Sequence, residues 1–153
     1  MASLPLHTIK LNQANIKRHF PNLVPEGNFK YTSPHTDEYN CVAWASAIAD
    51  EWIQFIYDEK GNYDINVRRY INYFAEIGFA PIDNSQPEKN ILKIAIYADK
   101  SNDFTHVARQ LPSGKWTSKI GDWEDIEHDT LDDIAGGAYG KPVTIMAQKI
   151  NIN

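Results

Sequence analysis

Residues 103–121 read "DFTHVARQLPSGKWTSKIG". Two runs rich in β-branched and aromatic residues flank "PSGK", a turn-forming tetrapeptide, so the stretch predicts a β-hairpin. On its first strand Phe104, His106, Ala108 and Gln110 share one face, and Thr105, Val107, Arg109 and Leu111 share the other. A strand holds a histidine rigidly, so His106 is the best placed of the five histidines to act as a base. If "PSGK" is the turn, the strands mirror about position 113.5, and His106 lies opposite Gly121 with Asp122 adjacent. Asp122 is then the expected orienting group for the imidazole. Ser118 and Lys119 are the alternatives if the register slips. His128 and Asp129 lie further round an acidic stretch, "GDWEDIEHD", whose bland reading is a solvated loop.

Working outward, "ILKIAIYA" (91–98) predicts a strand before the hairpin and "VTIMAQKI" (143–150) a final one. Between them, "EDIEHDTLDDIAGGAYGKP" predicts a loop with one short helical turn. The glycine run at 136–140 lacks the Lys-Ser/Thr and the strand–loop–helix context of a phosphate cradle, so it reads as a turn. Upstream, Val67, Tyr70, Ile71, Phe74 and Ile77 form the apolar stripe of a helix over 65–77, with Asp64 as N-cap and Gly78 as its stop. A longer helix is predicted over 39–57, where Val42, Ala45, Ala49, Trp52, Ile53 and Ile56 recur at three- and four-residue steps. Residues 1–37, rich in Pro and Asn, read as an irregular covering segment with a turn of helix near "NQANIKRHF". Helices followed by a mostly antiparallel meander make an α+β fold, and 153 residues make one domain.

Cys41, the only cysteine, stands in "EYNCVAWAS" at the start of the longer helix. A single cysteine excludes an internal disulfide and a multi-cysteine zinc site. A helix N-terminus favours a thiolate, and the Cys41 N–H is among the unpaired donors there, able to stabilise an oxyanion. The bland alternative is a small buried hydrophobe, since free cysteine is among the most buried residue types.

A Cys opening a long helix, then a His at the start of a β-meander, then a polar group on the next strand, resembles the papain-like cysteine peptidase fold. The resemblance is closest to its small bacterial amidase (NlpC/P60-like) branch and covers roughly residues 38–150. "YNCVAWA", "THVARQLPSGKWTSKIG", "IEH" and "YG" are also similar to an uncharacterised bacterial group. The resemblance implies Cys41 as nucleophile, His106 as base and Asp122 as orienter, acting on an amide, isopeptide, glutamine side chain or thioester. Papain itself places a Gln a few residues before the Cys; here that position falls near His35, and Asn40, Tyr39 or His35, or the backbone alone, is left to serve. Trp123 is a candidate cleft wall. The rival readings are a non-catalytic module of the same fold that binds a partner, such as an immunity or accessory protein, and a delivered deamidase toxin.

A formal charge of −5 with no Lys/Arg run argues against nucleic acid. No stretch approaches the ~20 apolar residues of a membrane span, and no cofactor or metal template fits, the carboxylates at 124–129 included. The N-terminus has no apolar signal core, so a soluble cytoplasmic protein, or one exported without a cleaved signal, is expected.

Overall fold

The computed structural model describes residues 18–24, 27–33, 41, 65–119 and 125–150. These residues build one antiparallel sheet of seven strands and pack a helix against it. In chain order these are β1 (Phe29–Ser33), α1 (Val67–Glu76), β2 (Ala80–Ile82), β3 (Ile91–Ala98), β4 (Phe104–Gln110), β5 (Trp116–Lys119), β6 (Asp125–His128) and β7 (Lys141–Lys149), with a 3-10 turn at Leu131–Ile134 before β7. The spatial order is β1-β6-β5-β4-β3-β7-β2. β3 to β6 run as a meander, but β7 returns beside β3 and β1 pairs with β6, so the sheet extends past the meander on both sides.

β3 is the centre. Its Ile/Ala/Tyr run is shielded on both faces: Ile94, Ala95, Ile96, Tyr97 and Ala98 are wholly buried, as a doubly covered strand requires. Antiparallel partners directly opposite one another point to the same side. One face therefore carries Ile94, Ile96, Val107 and Met146. The other carries Ala95, Tyr97, His106 and Ala108, and continues through Gln110, Trp116, Ser118, Ile126 and His128. α1 covers the first face with Tyr70 and Phe74, joined by Phe79. Phe20, Leu23, Ile134 and Ala135 cover the second.

α1 starts at Val67, the first residue of its apolar stripe and two residues after the predicted bound of 65. Asn66, and not Asp64, supplies the cap: its side chain accepts from the Arg68 N–H at 2.9 Å. Asp64 lies outside the described residues. Gly78 follows with φ +107, the left-handed stop expected of a C′ glycine. The helix predicted over 39–57 lies outside the described residues apart from Cys41, which is helical.

β1 and β6 correct the sequence reading, which places irregular segments there, and β2 falls on residues to which it assigns no element. In chain order the three strands hold five, three and four residues, too few to display alternation, and tertiary pairing creates them. The hairpin register is also corrected. Gln110 pairs with Trp116 and Arg109 with Thr117. The mirror point is therefore 113, because five residues form the connection, with Gly114 at φ +93 and its N–H on the Leu111 carbonyl at 2.9 Å. A one-residue slip moves each side chain of β5 to the opposite face. Ser118 thus joins His106's side of the sheet.

On that side Lys93 is wholly buried, yet its ammonium is satisfied by the Asn84 carbonyl at 2.9 Å, the Gln86 carbonyl at 2.5 Å and Glu88 at 2.6 Å. Lys93 therefore pins the 83–90 loop to β3. Lys93→Ala frees two carbonyls and an anion there; urea denaturation is expected to register a loss of about 1–3 kcal/mol.

Candidate functional site

Cys41 is buried in the apolar layer of the first face, in one cluster with Tyr70, Phe74, Ile94, Ile96 and Val107. His106 points the other way. Its ring lies flat on Tyr139, with centroids 4.2 Å apart and planes within 3°, and 5.7 Å from the Tyr97 ring. Strand β4 itself separates the two: Val107 contributes to the layer holding Cys41, while its neighbour His106 faces the opposite layer. The structure thus does not bring Cys41 and His106 together as nucleophile and base. The physical reason is the pleat, because adjacent residues of one strand alternate sides. Asp122, Asn40, His35 and Trp123 lie outside the described residues.

The four polar residues left as alternatives, Ser118, Lys119, His128 and Asp129, are all among the described residues. Ser118 and His128 share His106's face. Ser118 Oγ lies 2.7 Å from His128 Nε2, and His128 Nδ1 lies 2.9 Å from the Thr130 carbonyl oxygen. A carbonyl only accepts, so Nδ1 carries the proton, and Nε2 accepts from the Ser118 hydroxyl. Burial lowers the His128 pKa, against the pull of the Thr130 hydrogen bond and of Asp133, Asp129 and Glu127. The order Ser–His–carbonyl is that of a nucleophile, base and orienter. Both side chains are wholly enclosed, however, and here the relay satisfies polar groups inside a core.

Lys119 falls on the first face, the side of Cys41. It stands opposite Asp125 across β5 and β6, and both are buried. Arg109 lies on that face too; burial lowers its pKa and the Asp125 carboxylate raises it. The burial of Asp125 is absent from the sequence reading, which treats its acidic run as solvated. Among the described residues no cluster of three or more His, Cys, Asp or Glu is arranged to hold a metal ion.

His106 is the exceptional group. It is wholly buried, and among the described residues neither ring nitrogen has a hydrogen-bond partner. Burial drives its pKa well below the ordinary value, and the nearby His128 adds to the effect. Both imidazoles are therefore neutral in the fold. Below about pH 6.5 the unfolded chain takes up protons that these rings refuse, so stability falls as pH drops and is unaffected above that range. Each ring that stays neutral contributes a slope of about 1.4 kcal/mol per pH unit. The urea midpoint is expected to drop steeply between about pH 6.5 and 5, less so in His106→Phe.

Beside this face is an open cleft of about 620 Å³ between the 85–87 and 129–132 segments. Ser85, Gln86 and Trp116 line it, and Lys115 and Asp129 form an ion pair of 3.4 Å at its rim. No helix among the described residues is long and apolar enough to cross a membrane.

A family model described as "Domain of unknown function (DUF7689)" matches residues 30–147. No curated protein and no solved structure matches. The matched span runs from within β1 to within β7, and the chain belongs to this family.

Proposed function

We propose that the chain is a non-catalytic module of papain-like type that binds a partner protein, and not a Cys–His hydrolase. The carrying observation is that Cys41 and His106 sit in layers on opposite faces of one sheet. A general base must come within hydrogen-bond reach of the thiol it activates, and turning His106 through its own strand means dismantling the sheet. The thiol in this reading is a core residue, and the buried Ser118–His128 relay serves specificity of packing. The 620 Å³ cleft, with Trp116 at its base and charges of both signs at its rim, offers a place for a partner's side chains.

Alkylation of native Cys41 by iodoacetamide tests this. The expected rate is slow, limited by opening of the fold, and it tracks the opening free energy under added urea. His106→Gln alters it only through stability. A thiol that reacts fast in the native state below the free-cysteine range of ~8.5, and slows in His106→Gln without loss of stability, overturns the module reading. So does a fast thiol that depends on Lys119 or Asp125, which would move the chemistry to the first face.

A further inference from the structure

The segment 136–140, "GGAYG", is built as a latch over His106. Gly136 and Gly140 bracket it with φ +83 and +71. The Gly136 N–H closes onto the Gly140 carbonyl at 2.8 Å, and the Gly140 N–H onto Gly137 at 3.2 Å. Contacts from outside hold the latch down, among them the Ala138 N–H on the His19 carbonyl at 2.8 Å, the Thr105 hydroxyl on the Tyr139 carbonyl at 2.5 Å, and the Tyr139 ring against Phe20 and the His106 imidazole. Bracketing glycines let such a segment swing as a unit. Beneath it is an imidazole neither of whose ring nitrogens has a hydrogen-bond partner among the described residues.

We propose that the 136–140 segment is an acid-released latch: protonation of His106 is incompatible with the closed position of Tyr139, so acidification opens this segment before the sheet unfolds. The groups facing His106 explain why the closed state has no place for the charge. β3 presents the Tyr97 phenol, whose hydroxyl donates to the Leu131 carbonyl at 2.6 Å. The latch presents the face of the Tyr139 ring, whose weak attraction for a cation does not replace lost hydration. β6 presents His128, which offers no negative charge and, once protonated itself, disfavours an imidazolium at His106. The carboxylates of Asp129, Asp132, Asp133 and Glu127 act on His128 or Tyr97, and none of them contributes to the balance at His106. In the open state water solvates the cation.

The size of the effect follows from linkage. With an ordinary imidazole pKa of about 6.5 in the open state and a neutral ring in the closed state, the opening constant rises about thirtyfold between pH 7.5 and 5. Hydrogen exchange of the full chain, corrected for intrinsic rates, reads it at the Gly136, Ala138 and Gly140 amides. The expected result is that rise, with the β3 and β7 amides staying better protected throughout. In His106→Phe, which keeps a ring against Tyr139 and cannot titrate, the rise should shrink below about threefold. His128→Gln should retain it. Latch protection that does not change with pH, an equal rise in His106→Phe, loss of the rise in His128→Gln alone, or latch and strand amides opening together each overturns the proposal. Should His106→Phe not fold, the His106 NMR titration decides. An imidazole that protonates only as the latch amides lose protection supports the latch; one that titrates near the ordinary value beneath a closed latch overturns it.

Discussion

Phe74→Ala is expected to destabilise the chain by about 3–5 kcal/mol, read from the urea midpoint at constant m-value. Phe74 is wholly buried at the centre of the first-face layer. Its ring meets Tyr73 and Phe79 edge-on, with centroids 5.0 and 5.6 Å away. α1 is only ten residues long, too short to hold as a helix alone, so the packing of Tyr70 and Phe74 keeps it helical. Truncation leaves a cavity that rigid β-strands on one side cannot collapse into. Against a total stability of about 5–15 kcal/mol, this is a large fraction. Cys41 belongs to the same layer, so its alkylation should accelerate in step with the lost stability. An unchanged alkylation rate in a destabilised Phe74→Ala would mean that the thiol is reached by a route independent of this core.

Gly140→Ala is expected to lower stability by at least about 2 kcal/mol and to unseat the latch. Gly140 stands at φ +71, and a Cβ there would lie 2.3 Å from the Ala98 carbonyl oxygen and 3.0 Å from the Asp99 Cα. Both are backbone atoms at the end of the central strand, so neither yields by a rotamer change. The relief available is displacement of 136–140, which lifts Tyr139 from His106. The variant should therefore lose protection at Ala138 already at neutral pH, with a shallower pH dependence than the wild type. Thermal unfolding gives the stability term. A variant as stable as the wild type, with the latch amides still protected, would contradict the close approach of Gly140 to β3.

What the sequence discloses of this fold is the part that local chemistry decides. "ILKIAIYA" is an apolar run broken only by Lys93, and the structure makes all eight residues β3. Gly78 and the Tyr70–Phe74 spacing fix the end and the buried face of α1. The short strands β1, β2 and β6 have no such signature, since Phe29–Ser33 and Asp125–His128 become strands by pairing with each other. The hairpin illustrates a finer limit. Its two strands are legible, but Gly114's left-handed conformation lengthens the turn by one residue and flips the β5 side chains. That slip puts Ser118 rather than Lys119 on the face of His106.

The candidate site was legible as a set of residues and illegible as an arrangement. "THVARQ" marks His106 as rigidly held, and the chain places it so. No periodicity states which face the Cys41 helix covers, because the apolar stripe after Cys41 suits either one. His128 was assigned to a solvated acidic loop because its neighbours are charged; it lies wholly buried, bonded to Ser118. The motifs of the group resemblance, "THVARQLPSGKWTSKIG", "IEH" and "YG", hold His106 and Ser118, His128, and Tyr139, and all four belong to the second face, but nothing in the sequence singles out His128.

The most direct test of the separation of Cys41 from His106 is the ultraviolet thiolate band of the native chain, followed across pH in the wild type and in His106→Gln. With the sulfur in the first-face layer and the imidazole in the second, no thiolate band is expected at neutral pH, and His106→Gln should leave the profile of the folded protein unchanged. A thiolate band present at neutral pH and lost in His106→Gln would mean an ion pair between the two, and would contradict the account.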